Sequence, residues 1–213
     1  MKTVKYTQIS ESKKIGSNEY LSYCLNGLPK MNIIDLGCGH GGYSVFISGL
    51  GHNVTGYDAR TERMQLENKS VKWVQGLVES VELKEYNLIV ASGILYHLTK
   101  QQQIDLFEKI KKSNAEYLII NTHFAILDYF SNPINKGNKY LFKADNEGCF
   151  YDERENFKER LLASYSNRLS YWFSFHRLID LISNAGFTDI EILKPFVTND
   201  RAFFFCRKQL NNI

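Results

Sequence analysis

The sequence has few features of membrane, disulfide-linked or metal-binding proteins. No stretch approaches the ~18 consecutive apolar residues of a membrane helix, so no membrane span is expected. The four cysteines form no C-x-x-C pair and no apolar signal segment follows the first lysines, which predicts free thiols in a reducing cytoplasm. The five histidines show no H-x-x-x-H spacing and no clustering with cysteine or acidic residues, so no metal site is predicted.

Charge of one sign is also scarce. The chain has 26 Lys and Arg against 23 Asp and Glu, and a net charge of +3 does not by itself indicate a nucleic-acid partner. A hydrophobic fraction of 44% over 213 residues is typical of one soluble domain with a full core. Only three prolines are present, whereas 14% of the residues are aromatic, so the position of the rings is informative.

Apolar runs alternate with amphipathic segments along most of the chain. The pattern predicts strands at 31–36, 52–57, 71–75, 87–92, 117–121, 188–193 and 202–207, and helices at 18–28, 43–50, 61–68, 103–112 and 175–185. This order predicts an α/β fold, a doubly wound, Rossmann-like sheet of seven mostly parallel strands that ends in an antiparallel hairpin. Residues 1–14 are polar, and no regular structure is predicted for them.

The alternation breaks at residues 122–170, between the fifth strand and the last helix. We call this segment the insertion, and we expect it to fold as a cap, because about 49 structureless residues are improbable in a compact domain. Its charged part, 152–160, is predicted to be a solvated helix face. Aromatic rings are concentrated in and just after the insertion: Phe124, Tyr129, Phe130, Tyr140, Phe142, Phe150, Tyr151, Phe157, Tyr165, Tyr171, Trp172, Phe173 and Phe175. They either line a site for a small organic molecule or form the insertion's own core.

A glycine-rich turn follows the first predicted strand. Gly37, Gly39 and Gly42 satisfy G-x-G-x-x-G, and Gly37, Gly39 and Gly41 satisfy G-x-G-x-G. Glycine allows a tight turn and close approach of a ligand, and the following helix offers unpaired N–H groups. The glycines alone do not choose between a dinucleotide and another adenosine ligand.

Two acidic residues make the turn more informative. Asp58 ends the second strand, where a carboxylate can accept hydrogen bonds from both ribose hydroxyls. Asp35 lies on the strand just before Gly37, close to where the pyrophosphate of a dinucleotide would lie. A carboxylate there disfavours a ligand with two phosphates and favours one with an ammonium group.

The set Asp35-Leu36-Gly37-Cys38-Gly39-x-Gly41 together with Asp58 resembles the class I S-adenosylmethionine-dependent methyltransferases. Residues 91–98 are similar to the family's fourth-strand motif, and 185–190 to its approach to the last two strands. The resemblance covers roughly 15–121 and 171–208. It implies a single methyltransferase domain over 1–213, with 122–170 as an inserted substrate cap and S-adenosylmethionine as cofactor.

The resemblance also implies roles for individual residues. Asp35 would hold the methionyl ammonium, Asp58 the ribose hydroxyls, and the backbone of Ser92 and Gly93 the amino group. The methionyl arm would lie along Gly37, Cys38, Gly39 and Gly41, and the adenine beside Ala59. Where the family often has an aspartate for the adenine amino group this chain has Leu77, so recognition would fall to the backbone of Leu77 and Val78 or to Glu79.

Methyl transfer to oxygen or nitrogen can require a general base. His97 and His123 follow the ends of two parallel strands, where ligands of such sheets bind, and Tyr96 could line the same opening. The function predicted is methyl transfer to an O or N atom of a small-molecule acceptor, by a monomer or homodimer. Three alternatives stay open: an RNA or DNA methyltransferase, an NAD-dependent oxidoreductase, and a non-catalytic S-adenosylmethionine-binding domain.

Overall fold

The computed structural model describes residues 2–12, 15–135, 139–156, 158–160 and 163–208, so the predicted ring Phe157 lies outside the described residues. The helices in this part of the chain are α1 Ser17–Leu25, α2 Gly42–Gly49, α3 Lys100–Lys111 and α4 Phe175–Asn184. The strands are β1 Thr3–Gln8, β2 Asn32–Leu36, β3 Asn53–Asp58, β4 Val71–Gln75, β5 Leu88–Ser92, β6 Tyr117–His123, β7 Leu141–Asp145, β8 Gly148–Asp152, β9 Leu169–Phe173, β10 Phe187–Thr198 and β11 Arg201–Lys208. Short 3-10 turns cover Val78–Ser80 and Leu95–His97.

The main sheet has the strand order β1-β10-β11-β6-β5-β2-β3-β4. Its strand pairs are parallel except for β10 with β11 and β11 with β6, so β11 runs against the others. The predicted Rossmann-like, mostly parallel sheet with a C-terminal antiparallel hairpin is therefore present. Strand order reverses between β2 and β5, which leaves a crevice at their carboxyl ends.

The prediction of seven strands in this sheet is wrong, because the described part of the sheet has eight. The additional strand is β1, which pairs in parallel with β10 at the sheet edge. Five of its six residues are exposed, so it has no alternating apolar pattern to detect. Backbone pairing and contacts such as the ring of Tyr6 against Phe196 hold it in place.

Each central strand is buried on both faces. Ile33 of β2 packs with α1 and α2 on one side of the sheet, whereas its neighbour Ile34 packs with α3 and α4 on the other. Two layers of helices therefore enclose the sheet, as expected for parallel strands. Among the described helices, none is long and apolar enough to cross a membrane.

The helix predicted at 61–68 is absent. Turns replace it, with hydrogen bonds from the N–H of Met64 to the carbonyl of Thr61 and from the N–H of Asn68 to that of Gln65. Met64 is buried, but no apolar stripe accompanies it that could hold a helix against the sheet. The other predicted helices and strands are present, with ends shifted by up to five residues.

The insertion contains a second, three-stranded antiparallel sheet in the order β7-β8-β9. Its last strand continues to Phe173, three residues beyond the predicted end of the insertion. The helix predicted at 152–160 is absent from the described residues, whereas Arg154, Glu155, Lys158 and Glu159 are exposed as predicted. Asp152 ends β8, and Glu153 is 1% exposed because its carboxylate is bound by side chains of the interior.

The four cysteines are free thiols, as predicted. Burial raises the pKa of Cys149 to about 12, and it also raises the pKa of the half-buried Cys38. Neither thiol is therefore ionised near neutral pH.

Candidate functional site

A cavity of about 500 Å³ lies at the carboxyl ends of β2, β3 and β5. This volume is in the range that accommodates a cofactor-sized ligand. The predicted site residues on its wall are Asp35, Gly37, Cys38, Gly39, Asp58, Ala59, Leu77, Val78, Glu79, Ser92, Gly93, Tyr96 and His97. Two other predicted residues, Gly41 and His123, do not line it.

The glycine turn between β2 and α2 forms one wall. Gly37, Gly39 and Gly41 all have positive φ, a conformation that favours glycine. Gly39 faces the cavity, and its N–H donates to Oδ2 of Asp58 at 2.8 Å. Gly41 has a different reason to be glycine, because a Cβ there would lie 2.2 Å from the indole of Trp73. Packing, and not ligand approach, accounts for Gly41.

Asp35 is a buried carboxylate at the base of the cavity. It is 1% exposed, and its Oδ2 accepts a hydrogen bond from the Ser44 hydroxyl at 2.7 Å. Its Oδ1 is buried and has no partner among the described residues. Burial raises the pKa of Asp35 to about 7, since little nearby stabilises the charge. A cationic group in the cavity would provide the missing partner.

Asp58 lies at the end of β3, and backbone donors hold its carboxylate. The N–H of Gly39 binds one oxygen and the N–H of Arg60 binds the other, each at 2.8 Å. Both oxygens keep a lone pair that can accept from a ligand hydroxyl.

Arg60 connects this turn to the insertion, a role that sequence analysis missed. Its guanidinium is buried and donates to the carbonyls of Ala163 and Ser164 at 3.2 and 3.1 Å. It also lies 5.1 Å from the ring centroid of Tyr165. Residues 163–167 line the cavity, so Arg60 holds part of the insertion over it.

The segment after β4 closes another side. The carbonyl of Leu77 already accepts from the Tyr57 hydroxyl and from the Ser80 hydroxyl, both at 2.9 Å. The Glu79 carboxylate accepts from the side-chain amide of Gln102, which also lines the cavity.

Ser92 and Gly93 end the neighbouring strand β5. The Ser92 hydroxyl oxygen is buried and has no hydrogen-bond partner among the described residues. Gly93 has a φ of 89°, and its N–H donates to the carbonyl of Asn121 on β6. Both residues line the cavity, so the second unpartnered polar atom also lies at its wall.

His97 forms a buried pair with Glu153 of the insertion. Its Nδ1 lies 2.7 Å from Oε1 of Glu153, and the same oxygen accepts from the Ser170 hydroxyl at 2.6 Å. Glu153 is 1% exposed, whereas the His97 side chain is 21% exposed and lines the cavity. A carboxylate at Nδ1 favours the tautomer with hydrogen on that nitrogen, and Nε2 is then free to accept a proton.

His123 does not share this arrangement. Its ring stacks on Trp172 at 4.6 Å and meets the edge of Tyr96 at 4.8 Å, while Nδ1 lies 3.2 Å from Asp200. Hydrogen bonding to His123 holds the pKa of Asp200 well below its usual range. His123 therefore contacts Tyr96, which lines the cavity, but does not line the cavity itself.

Arg201, the first residue of β11, is a second functional candidate that sequence analysis missed. Its Nε donates to Oδ1 of Asn121 at 2.9 Å, and its guanidinium carbon lies 5.3 Å from the ring centroid of Tyr96. It lines the cavity beside Gly93. No ion pair joins it to an acidic residue in the described part of the chain.

The described aromatic rings of the insertion and of β9 are divided between buried and exposed positions. Tyr171, Trp172 and Phe173 of β9 are buried, and Tyr129 is 96% exposed. Of the described rings from 124 to 175, Tyr165 lines the cavity. Phe124, Phe150, Tyr171, Phe173 and Phe175 pack into the core of the main sheet, and of the described rings only Trp172 and Tyr151 join the small cluster beneath the insertion. Neither predicted role, a ligand site or a core of the insertion itself, therefore describes the whole set of rings. Across the described residues, no group of three or more His, Cys, Asp or Glu side chains is placed to hold a metal ion.

Comparisons with known proteins give a family. A model of the methyltransferase domain matches residues 17–192. No curated protein matches the chain. Among solved structures, the N-terminal domain of EvdMO1 with S-adenosylhomocysteine bound superposes with a TM-score of 0.67 at 16% identity, over 90% of this chain and 79% of that one.

Two further structures with this product bound show the same fold. The 1,6-didemethyltoxoflavin-N1-methyltransferase of Burkholderia thailandensis matches with a TM-score of 0.59 at 17% identity, over 90% of this chain and 76% of that one. The magnesium protoporphyrin IX methyltransferase of Synechocystis PCC 6803 matches with a TM-score of 0.62 at 13% identity, over 90% and 82%. With the family model over most of its length, the chain belongs to the methyltransferase-domain family, as a class I S-adenosylmethionine-dependent methyltransferase.

Proposed function

We propose that the protein transfers a methyl group from S-adenosylmethionine to an O or N atom of a small-molecule acceptor. The observation that carries the proposal is a single cavity lined by an unpartnered buried carboxylate on β2 and by a histidine after β5 that is paired with a glutamate. We call these the donor end, around Asp35 and Asp58, and the acceptor end, around Tyr96 and His97.

The donor end fits the charges and hydroxyls of the cofactor. The free oxygen of Asp35 would bind the methionyl ammonium, and the carboxylate of Asp58 the ribose hydroxyls. When bound, the cofactor supplies an electrophilic methyl group on a sulfonium that leaves as S-adenosylhomocysteine. The methionyl arm would run along the backbone of Gly37, Cys38 and Gly39, which line the cavity.

The remaining contacts of the donor end are backbone and adenine contacts. The carbonyls of Ser92 and Gly93 would accept hydrogen bonds from the methionyl amino group, and Ala59 would pack against the adenine. Because the Leu77 carbonyl already accepts two hydrogen bonds, we assign the adenine amino group to Glu79, with Val78 packing beside it.

His97 is the general base of the proposal. Glu153 accepts the hydrogen on Nδ1, so Nε2 takes the proton that leaves the acceptor O–H or N–H as the new bond to carbon forms. Glu153 is a positioning residue, since it contacts His97 and not the cavity. Tyr96 forms a wall beside the base, with ring centroids 4.4 Å apart.

The insertion covers both ends of the cavity in this proposal. It supplies Glu153 to the base and Ala163 to Asn167 to the cavity wall. We retain a single domain over 1–213, with 15–121 as core, and we move the boundary between insertion and the second core segment from 170 to Phe173, because β9 belongs to the small sheet.

Isothermal titration with S-adenosylhomocysteine tests the donor end. We expect binding to the wild type, a loss of about tenfold or more in Asp58→Asn, and no change in Asp105→Asn, which removes an exposed carboxylate on α3. No binding to the folded wild type would overturn the proposal.

Transfer of radiolabelled methyl groups tests the acceptor class. We expect label in small-molecule fractions of a cell extract, and not in its RNA, DNA or protein. Label in nucleic acid would favour the RNA or DNA alternative. Tight S-adenosylhomocysteine binding with no transfer to any fraction would favour a non-catalytic binding domain.

A further inference from the structure

We propose that Arg201 binds a carboxylate at the acceptor end, so that the acceptor is a small organic acid. This inference rests on the proposed function, because it concerns the same cavity. The methionyl part of the cofactor also carries a carboxylate, so the experiment below separates these two sources of the same chemistry.

The guanidinium of Arg201 is held in a fixed position. Nε donates to the side chain of Asn121, which is 1% exposed, and the group lies over the ring of Tyr96. An arginine has five N–H donors, and the bond to Asn121 uses one of them. The planar fork of donors matches the two oxygens of a carboxylate, and a preorganised fork loses little freedom on binding.

No carboxylate of the described residues forms an ion pair with this guanidinium. The Tyr96 hydroxyl is near, but burial raises the pKa of Tyr96, so it stays a neutral phenol. Of the two other arginines of the wall, Arg60 is buried and donates to the carbonyls of Ala163 and Ser164, and Arg63 lies beside Gly39 on the glycine turn. A cation at a partly desolvated wall is favoured when a ligand supplies the opposite charge.

The location of Arg201 favours the acceptor as the source of the carboxylate. Strands β5 and β6 separate β11 from β2, a distance of roughly 14 Å at the usual spacing of strands. The three acidic wall residues Asp35, Asp58 and Glu79 lie on or after β2, β3 and β4. Arg201 instead contacts Tyr96, whose ring also packs against His97. A carboxylate on Arg201 and a nucleophile at His97 would therefore belong to one small molecule lying along Tyr96.

Titrations with two nucleoside ligands test the cofactor as the source. S-adenosylhomocysteine and 5′-methylthioadenosine share the nucleoside and the thioether, but the second lacks the amino-acid carboxylate. Arg201→Met removes the fork. The control Lys72→Met, at an exposed position of β4, removes one positive charge away from the cavity. If Arg201 binds the methionyl carboxylate, Arg201→Met weakens the binding of S-adenosylhomocysteine by about tenfold or more and leaves the binding of 5′-methylthioadenosine unchanged.

Titrations with benzoate and benzamide test the acceptor as the source. The two probes have the same ring and similar size, and only benzoate is charged. Each probe is added to protein with and without S-adenosylhomocysteine. We expect wild type and Lys72→Met to bind benzoate at least about tenfold more tightly than benzamide. This preference is expected to disappear in Arg201→Met. Circular dichroism checks that Arg201→Met is folded. If it is not folded, Arg201→Lys, which keeps the charge but not the planar fork, takes its place in the titrations.

The outcomes are separable. If Arg201→Met loses affinity for benzoate alone, Arg201 binds a carboxylate of the acceptor. If it loses affinity for S-adenosylhomocysteine alone, Arg201 binds the carboxylate of the cofactor, and the proposal of an organic-acid acceptor is wrong. If Arg201→Met changes neither, including the case in which benzoate does not bind wild type at all, the inference is wrong. Failure of wild type to bind either nucleoside would instead overturn the proposed function, and the benzoate titration of the free protein would still report on Arg201.

Discussion

Replacing Asp35 with Asn should make the unliganded protein more stable and make it a poorer cofactor binder. The side chain is 1% exposed, and one of its oxygens has no partner in the described part of the chain. Asparagine has the same size, keeps an oxygen for the Ser44 hydroxyl, and carries no charge to bury. The wild-type carboxylate is thus retained at a cost to stability, which a ligand ammonium would offset.

The magnitude follows from the pKa of Asp35, which burial raises from 3.8 to about 7. That difference corresponds to about 4 kcal/mol between the ionised and neutral forms in the folded state. Because the folded protein binds this proton more tightly than the unfolded chain does, wild-type stability falls as pH rises from about 4 to about 7 and is level above that. In Asp35→Asn this fall in stability with rising pH is absent.

Urea unfolding at a series of pH values from 4 to 8 measures the effect. We expect the advantage of Asp35→Asn to grow with pH and to level off above about 7, reaching an upper limit of about 4 kcal/mol. In parallel, S-adenosylhomocysteine should bind the variant about tenfold or more weakly, while 5′-methylthioadenosine, which has no ammonium, should bind equally. Equal pH dependence of unfolding in the two proteins would refute the reasoning about buried charge.

Three further substitutions test other parts of the structure. Glu153→Gln should abolish the fixed Nδ1–H tautomer of His97, which imidazole ¹⁵N spectra report. It should also lower kcat by up to ~10²–10⁴-fold with little change in KM. An unchanged tautomer would show that Glu153 does not position His97. Gly41→Ala should destabilise the fold by about 2–4 kcal/mol in thermal unfolding, because φ is positive there and the indole of Trp73 fills the space of a Cβ. Gly49→Ala, whose Cβ would meet no atom, should be neutral or stabilising. Equal effects of the two substitutions would contradict this reasoning. Arg60→Met should speed amide hydrogen exchange over 163–167, and unchanged exchange would show that other contacts hold this segment.

The parts of the fold and site that sequence predicted are those encoded locally. Parallel strands such as β5 are continuous apolar runs, and the glycine turn between Asp35 and α2 is a contiguous motif. Their residues line the cavity because the carboxyl ends of adjacent parallel strands meet. Gly41 shows the limit of a motif, since it matches the pattern but packs against Trp73.

The parts that sequence did not predict depend on contacts between distant residues. His97 and Glu153 are 56 positions apart, and a glutamate in a charged run predicts a solvated surface unless its partner is known. Arg201 starts an apolar strand, and its position at the wall depends on Asn121, 80 residues earlier. Strand β1 has no apolar alternation because an edge strand can be exposed on both faces. In each case the pairing, and not the residue type, defines the role.

The two ends of the cavity depend on each other through the insertion. Arg60 follows directly on the turn that holds Asp58, and it binds the carbonyls of 163 and 164, which lie between Glu153 and β9. Glu153 in turn fixes His97. We therefore expect a change at the donor end that displaces Arg60 to loosen the segment that follows Glu153, the residue paired with the proposed base His97. This connection explains physically how the insertion takes part in the site mainly through a few polar contacts at its edge, while several of its rings pack into the core of the main sheet.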